Sequence, residues 1–109
     1  MFRNSLLERR CVVPAIGFYE WRLEESAKKK TKYLFQSSDS AILYMAGCFK
    51  IVDNVPVFVI LTTAANDSMK PIHDRMPVIV QKEEWLCGNC DVGEIFAQDQ
   101  PDLIAVEAS

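Results

Sequence analysis

From Phe18 to Leu23 the side chains alternate strictly: Phe18, Glu20 and Arg22 fall on one face of a period-two element and Tyr19, Trp21 and Leu23 on the other. That pattern predicts a strand with a carboxylate, Glu20, set between two aromatics. Before it, Cys11–Ala15 is a short apolar strand whose Pro14 suits an edge or a strand end, and Gly17 turns the chain between the two. After it, the charged stretch 24–32, with the run Lys28-Lys29-Lys30, reads as a solvated hairpin loop. Strands follow at 33–36, 41–50 and 55–61, separated by Ser37–Ser40 and by Asp53-Asn54. Strands at this spacing predict an antiparallel meander that curls into a sandwich or barrel.

Beyond Leu61 the periodicity changes. Thr62 or Thr63 can cap, and Ala64–Ile72 reads as one short helix that delivers His73 at its C-terminal end. Another strand is expected over 76–80, short helices over 83–86 and 91–96, and a last strand over 102–106. The opening decapeptide Met1–Arg10 reads as an amphipathic segment. The fold class expected is α+β, a curved, mostly antiparallel, barrel-like sheet with a few short helices.

Composition narrows the picture. The 109 residues make one domain, of a size that buries roughly two-thirds of the surface its unfolded chain exposes. Half the residues are apolar and a quarter charged, as in a globular chain. No stretch approaches the ~18 apolar residues of a membrane span and no signal peptide opens the chain, so a cytoplasmic protein without membrane partners is expected. The net charge of −3 lacks the broad basic footprint of non-specific duplex binding, which leaves room only for a local basic patch.

The candidate chemistry is sparse. Four cysteines, Cys11, Cys48, Cys87 and Cys90, are too scattered for a disulfide framework. Cys87 and Cys90 have the spacing of half a zinc site without two further ligands at a comparable spacing, so neither a metal nor a cofactor is expected. Glu20 is either a solvent-facing residue of a half-exposed sheet or a partnered carboxylate suited to general acid–base work. His73, the one histidine, is either a loop residue paired to Asp74 or a group that moves protons near neutral pH. A glutamate and a histidine together suit proton shuttling around a carbonyl or an amine.

Two long stretches carry a resemblance. The first is Arg10-Cys11-Val12-Val13-Pro14-Ala15-Ile16-Gly17-Phe18-Tyr19-Glu20-Trp21. The second is Ile60-Leu61-Thr62-Thr63-Ala64-Ala65-Asn66 followed by Ile72-His73-Asp74-Arg75-Met76-Pro77. They resemble, in order, the two signatures of the SRAP family, the SOS-response-associated peptidases that sense abasic sites in DNA. The resemblance implies a positively charged groove for single-stranded DNA and capture of the abasic site as a covalent protein–DNA crosslink. The α-amine of an N-terminal cysteine, freed by removal of the initiator methionine, attacks the ring-opened aldehyde, and its thiol closes a thiazolidine. It further implies that Glu20 and His73 are catalytic and handle the protons, that Thr62 lines the same pocket, and that Arg10 and Arg75 contact DNA phosphate or support the site.

This chain begins Met1-Phe2 where the family pattern has Met-Cys-Gly-Arg, and Ile16 stands where the first signature has aspartate. The expectation is therefore a single, partial SRAP domain over 1–109, without the nucleophile segment and the C-terminal end, and inactive by itself. Its alternatives are a non-reactive single-stranded DNA-binding module and a fragment that self-associates through open strand edges.

Overall fold

The computed structural model describes residues 9–24, 29–87 and 91–108. Its strands are β1 (Arg10–Ala15), β2 (Phe18–Glu24), β3 (Lys29–Ser37), β4 (Leu43–Val52), β5 (Val55–Ile60), β6 (Thr62–Ala64), β7 (Arg75–Pro77) and β8 (Leu103–Glu107). Two short helices, α1 (Lys82–Leu86) and α2 (Val92–Ala97), lie between β7 and β8. Every named pairing is antiparallel, as expected, and the strands form three sheets ordered β1-β4-β5, β2-β3-β8 and β6-β7. The sheets are curved but do not close into a barrel.

The expected meander is broken between β3 and β4, which are not neighbours. Their connection is no hairpin turn: Ser37 Oγ accepts from the N–H groups of Asp39 and Ser40, both at 3.1 Å, and Ser38 N–H donates to Asp102 O at 3.4 Å. The link is tied to the approach of β8, so β8 takes the place beside β3 and β4 crosses to β1. Strand β4 then runs between two cores. Leu43 packs with Phe35, Ala65, Met69, Met76 and Leu103 on one side, while Ala46 packs with Val78, Val80, Trp85 and Ile95 on the other. Burial on both faces over Leu43–Cys48 explains why that half of β4 reads as a continuous apolar run rather than an alternation.

Strand β2 lies against the first core. Phe18 is opposite Phe35 in the β2–β3 register, and their rings stack with centroids 5.3 Å apart. Gly17 permits this approach: a Cβ there would sit 2.6 Å from Phe35 O. The β2–β3 ladder extends to Glu24 opposite Lys29, so Lys29–Lys32 belong to a strand and the charged loop expected over 24–32 shortens accordingly. At the β4–β5 hairpin, Asp53 and Asn54 take φ of 50° and 64°, the left-handed pair a two-residue primed turn requires.

The helix expected over Ala64–Ile72 does not form. Thr62–Ala64 pair with Arg75–Pro77 as strand, and the segment between is a series of turns. Asn66 Oδ1 accepts from Ser68 N–H at 3.1 Å, a local side-chain bond that competes with helical pairing, and Pro71 has no N–H to give. The strand expected over 76–80 ends at Pro77, with one further bridge from Ile79 to Met45. The opening segment, Met1–Arg10, lies outside the described residues except for Arg9 and Arg10, the latter the first residue of β1.

Candidate functional site

Glu20 projects from β2 and His73 from the turn that leads into β7, and the fold brings His73 Nε2 to 3.8 Å from Glu20 Oε1. Each side chain is about one-third exposed, His73 at 37% and Glu20 at 32%, so both reach solvent from a partly desolvated position. The ring is oriented from behind. Nδ1 is held against the backbone of Arg75, 3.1 Å from its N–H and 3.3 Å from its carbonyl oxygen. Nε2 is the nitrogen that faces Glu20. Asp74 Oδ1 lies 3.5 Å from Nδ1 on a nearly fully exposed side chain. Glu20 and Asp74 thus flank the same ring, one near each nitrogen. Glu20 Oε1 also accepts from Trp21 N–H at 3.3 Å.

The pair opens onto a cleft of about 310 Å³ whose walls include Met45, Ile60, Thr62, Arg75 and Met76. Arg75 Nη2 donates to Thr62 O at 2.9 Å and to Thr62 Oγ1 at 3.1 Å, across the β6–β7 pair. Both of these bonds use one nitrogen, which fixes the guanidinium at the rim with further N–H donors for an anion. Among the described residues lining the cleft there is neither a cysteine nor a lysine. Proton transfer and anion recognition are the chemistry these walls offer.

Of the five residues singled out by sequence, Glu20, Thr62, His73 and Arg75 converge here. Arg10 sits elsewhere: its guanidinium lies 4.3 Å from the Trp85 ring centroid, and Nη1 donates to Trp85 O at 3.2 Å.

Asn66 stands in the second signature, but the sequence reading gave it no role. Its Nδ2 donates to Gln100 O and Pro101 O at 3.2 and 3.0 Å, and its Oδ1 accepts from both N–H and Oγ–H of Ser68. Ser68 Oγ accepts in turn from Leu103 N–H at 3.1 Å. The network pins the turn that carries His73 to the start of β8. An asparagine closing an apolar run and followed by Asp67-Ser68 is the signature of such an Asx turn, and it was the available signal.

Among the described residues no group of three or more His, Cys, Asp or Glu side chains is placed to hold a metal. Cys11 and Cys48 are set in β1 and β4, and burial pushes both thiols above their ordinary value of 9.0, with the Cys11 charge adding to the effect on Cys48. Thiolate is the reactive form, so alkylation by iodoacetamide at pH 7.5 is expected at exposed Cys87 well before Cys11 or Cys48, as peptide mass mapping would read it. The sign for stability follows. A thiol whose value is raised on folding stabilises fully below pH 9.0 and less as pH rises beyond it. Comparable labelling of Cys48 and Cys87 in the folded protein would contradict this.

Comparison with known proteins adds four findings. The family model described as SOS response associated peptidase (SRAP) matches residues 1–90. The chain is 39% identical over 93 residues to the abasic site processing protein YoaM of Bacillus subtilis, covering 78% of this chain and 40% of that protein. It is 30% identical over 93 residues to the abasic site processing protein YedK of Escherichia coli, covering 79% and 41%. A crystal structure of a Bacteroides thetaiotaomicron protein superposes with a TM-score of 0.82 at 29% identity, over 99% of this chain and 53% of that one. The chain thus spans about two-fifths of the length of these named relatives and about half of the solved one. No helix among the described residues is long and apolar enough to cross a membrane.

Proposed function

This chain belongs to the SOS response associated peptidase family, and from that membership we propose that its Glu20–His73 cleft receives an abasic site of single-stranded DNA and moves the protons of its covalent capture. The observation that carries the reading is the 3.8 Å approach of His73 Nε2 to Glu20 Oε1 beside the Arg75 guanidinium. Residues far apart in sequence meet there, with Nε2 of the imidazole facing the carboxylate. The contact is longer than a hydrogen bond, as catalytic contacts often are before a substrate tightens them.

The chemistry needs such a pair. An abasic deoxyribose is a cyclic hemiacetal; opening it takes the proton from the C1′ hydroxyl and returns one to the ring oxygen. An amine then adds to the aldehyde carbon, and the resulting hydroxyl leaves as water once it is protonated, forming C=N. Glu20 as carboxylate accepts each proton that the sugar hydroxyl and the amine lose, and that proton passes through the facing His73 ring nitrogen to the oxygen that gains one, so the pair ends each step in its starting state. Arg75 holds a flanking phosphate through the donors not committed to Thr62. The amine comes from outside the described lining of the cleft.

Single-stranded rather than duplex DNA is supported by the aromatics on either side of Glu20 in β2. Tyr19 and Trp21 are about half exposed there, and Lys32 Nζ lies 4.9 Å from the Tyr19 ring, beside Lys29 and Lys30. Exposed aromatics with interleaved lysines suit unstacked bases and a flexible backbone. An intracellular, DNA-associated protein is the corresponding placement.

The test is a titration of fluorescently labelled single strands, with and without one abasic site, at several salt concentrations. Preferential, salt-sensitive binding of the abasic strand is expected, without a denaturation-resistant adduct from this chain alone. Arg75→Ala should weaken binding roughly tenfold and reduce the salt slope by about one. Equal affinity for the two strands would leave the second reading, a non-reactive single-strand binder. A gel-stable adduct from the unmodified chain would overturn the account of where the amine comes from.

A further inference from the structure

Glu20 and His73 stand on separate sheets. Glu20 belongs to β2 of the β2-β3-β8 sheet and His73 to the turn that enters β7 of the β6-β7 sheet, and the two sheets share no strand. No strand ladder therefore fixes the 3.8 Å gap between the two side chains. A core does lie between the sheets, where Met69 and Met76 from the His73 side pack with Phe35 and Leu103 from the other. Apolar packing is non-directional, so it holds two layers together more readily than it sets their register.

Directional bonds cross from the loop 65–74. At its base Ala65 N–H donates to Asp74 O at 3.0 Å. Within it, Asn66 O accepts from the N–H groups of Met69 and Lys70, at 3.0 and 2.9 Å, and Met69 O accepts from those of Ile72 and His73, at 2.9 and 3.1 Å. Two successive turns thus join Asn66 to the backbone of His73. The Asn66 side chain reaches the other way, out of the loop. Its Nδ2 donates to Gln100 O and Pro101 O, while Ser68 Oγ, bonded to Asn66 Oδ1 at 2.6 Å, accepts from Leu103 N–H. Leu103 opens β8 and lies opposite Ser37 of β3, the strand that pairs with β2. The carbonyls that Asn66 uses are themselves held, because Gln100 Oε1 accepts from Ile79 N–H, just past β7, at 2.7 Å.

We propose that Asn66 and Ser68 are positioning residues, whose bridge between the His73 loop and the start of β8 sets the approach of His73 to Glu20. This rests on the Glu20–His73 reading above and adds what holds that pair in reach. Neither residue lines the cleft, so both act through the placement of the ring. A displacement of about 1 Å can cost a reacting pair roughly a hundredfold in rate. The amide is suited to the task, since its two donors and two acceptor sites are all engaged. An aspartate would accept from Ser68 equally well, but it has no N–H for the two carbonyls.

The single histidine of the chain supplies the probe. In the 109-residue chain carrying isotope-labelled histidine, at one fixed pH and without DNA, Glu20→Gln is expected to shift the nuclear magnetic resonance signals of the His73 ring. In an Asn66→Asp background, folded by circular dichroism, the same substitution should shift them by less than roughly half as much, because coupling between two sites fades as they separate. The Leu103 amide should also exchange faster with solvent as the loop detaches. Asp67→Asn is the control for charge: it removes an exposed carboxylate 3.8 Å from Lys70 Nζ on the same turn and should leave the shift intact. An undiminished shift in Asn66→Asp, or the same loss in Asp67→Asn, would overturn the proposal and leave the function above standing. If Asn66→Asp fails to fold, Ser68→Ala, which removes the hydroxyl between Asn66 and Leu103, is read by the same criterion. A parent chain in which Glu20→Gln moves no His73 signal would refute the pair itself, and both readings with it.

Discussion

Replacing His73 with alanine is expected to slow capture of an abasic-site aldehyde by an amine presented to the cleft by roughly 10²- to 10⁴-fold, the range that a positioned proton donor contributes. The assay uses the chain extended at its N-terminus by an SRAP segment that opens Met-Cys, reacted in single turnover with a labelled abasic single strand and read on a denaturing gel. The expectation follows from orientation. The Arg75 backbone holds Nδ1, with its N–H at 3.1 Å, and leaves Nε2 facing Glu20. Glu20→Gln removes the accepting carboxylate and should cost a similar factor. The double variant should be little slower than either single one, because the two groups serve one proton path. Asp74→Asn is the contrast: its carboxylate is 3.5 Å from Nδ1 but almost wholly in water, where an ion pair contributes little. A His73→Ala rate within twofold of the parent would remove the histidine from the reaction.

Much of this site was legible because the evidence for it is local. The alternation from Phe18 to Leu23 is a property of one strand, and it separated the Glu20 face from the Trp21 face correctly. Asp53-Asn54 announced its turn because few residue pairs tolerate two positive φ values. Which strands are neighbours was not legible. The crossing of β4 to β1 and of β8 to β3 depends on the Ser37–Ile42 link and its bond to Asp102, a contact between distant parts of the chain. The turns at 65–72 were misread as helix for a related reason. Their apolar spacing fits a helix, but Asn66 spends its side chain on Ser68 and on the carbonyls of Gln100 and Pro101, partners that local pattern does not reveal. The surroundings of Arg10 belong to the same class, since Trp85 follows it by most of the chain.

Trp85→Ala is expected to be the most destabilising single change in the chain, about 3–5 kcal/mol by the usual cost of deleting a large buried aromatic. Trp85 is fully buried on α1, in the core shared with Ala46, Val78, Val80 and Ile95. Its Nε1–H donates to both Cys11 O at 2.9 Å and Gly47 O at 3.2 Å, which locks the helix across the β1–β4 pair. Domains are stable by only about 5–15 kcal/mol, so the change uses up much of the margin, and urea denaturation followed by circular dichroism would measure it. Trp85→Phe separates the two contributions: most of the apolar volume stays, two carbonyls lose their donor, and roughly 1–3 kcal/mol should remain as the cost. Arg10 then becomes decidable. Its guanidinium covers the Trp85 ring and bonds Trp85 O, so Arg10→Ala should lower the denaturation midpoint while leaving the salt slope of single-strand binding unchanged. Arg75→Ala should do the reverse. A fall in salt slope with Arg10→Ala, at unaltered stability, would return Arg10 to the DNA-binding surface and leave α1 held by the tryptophan alone.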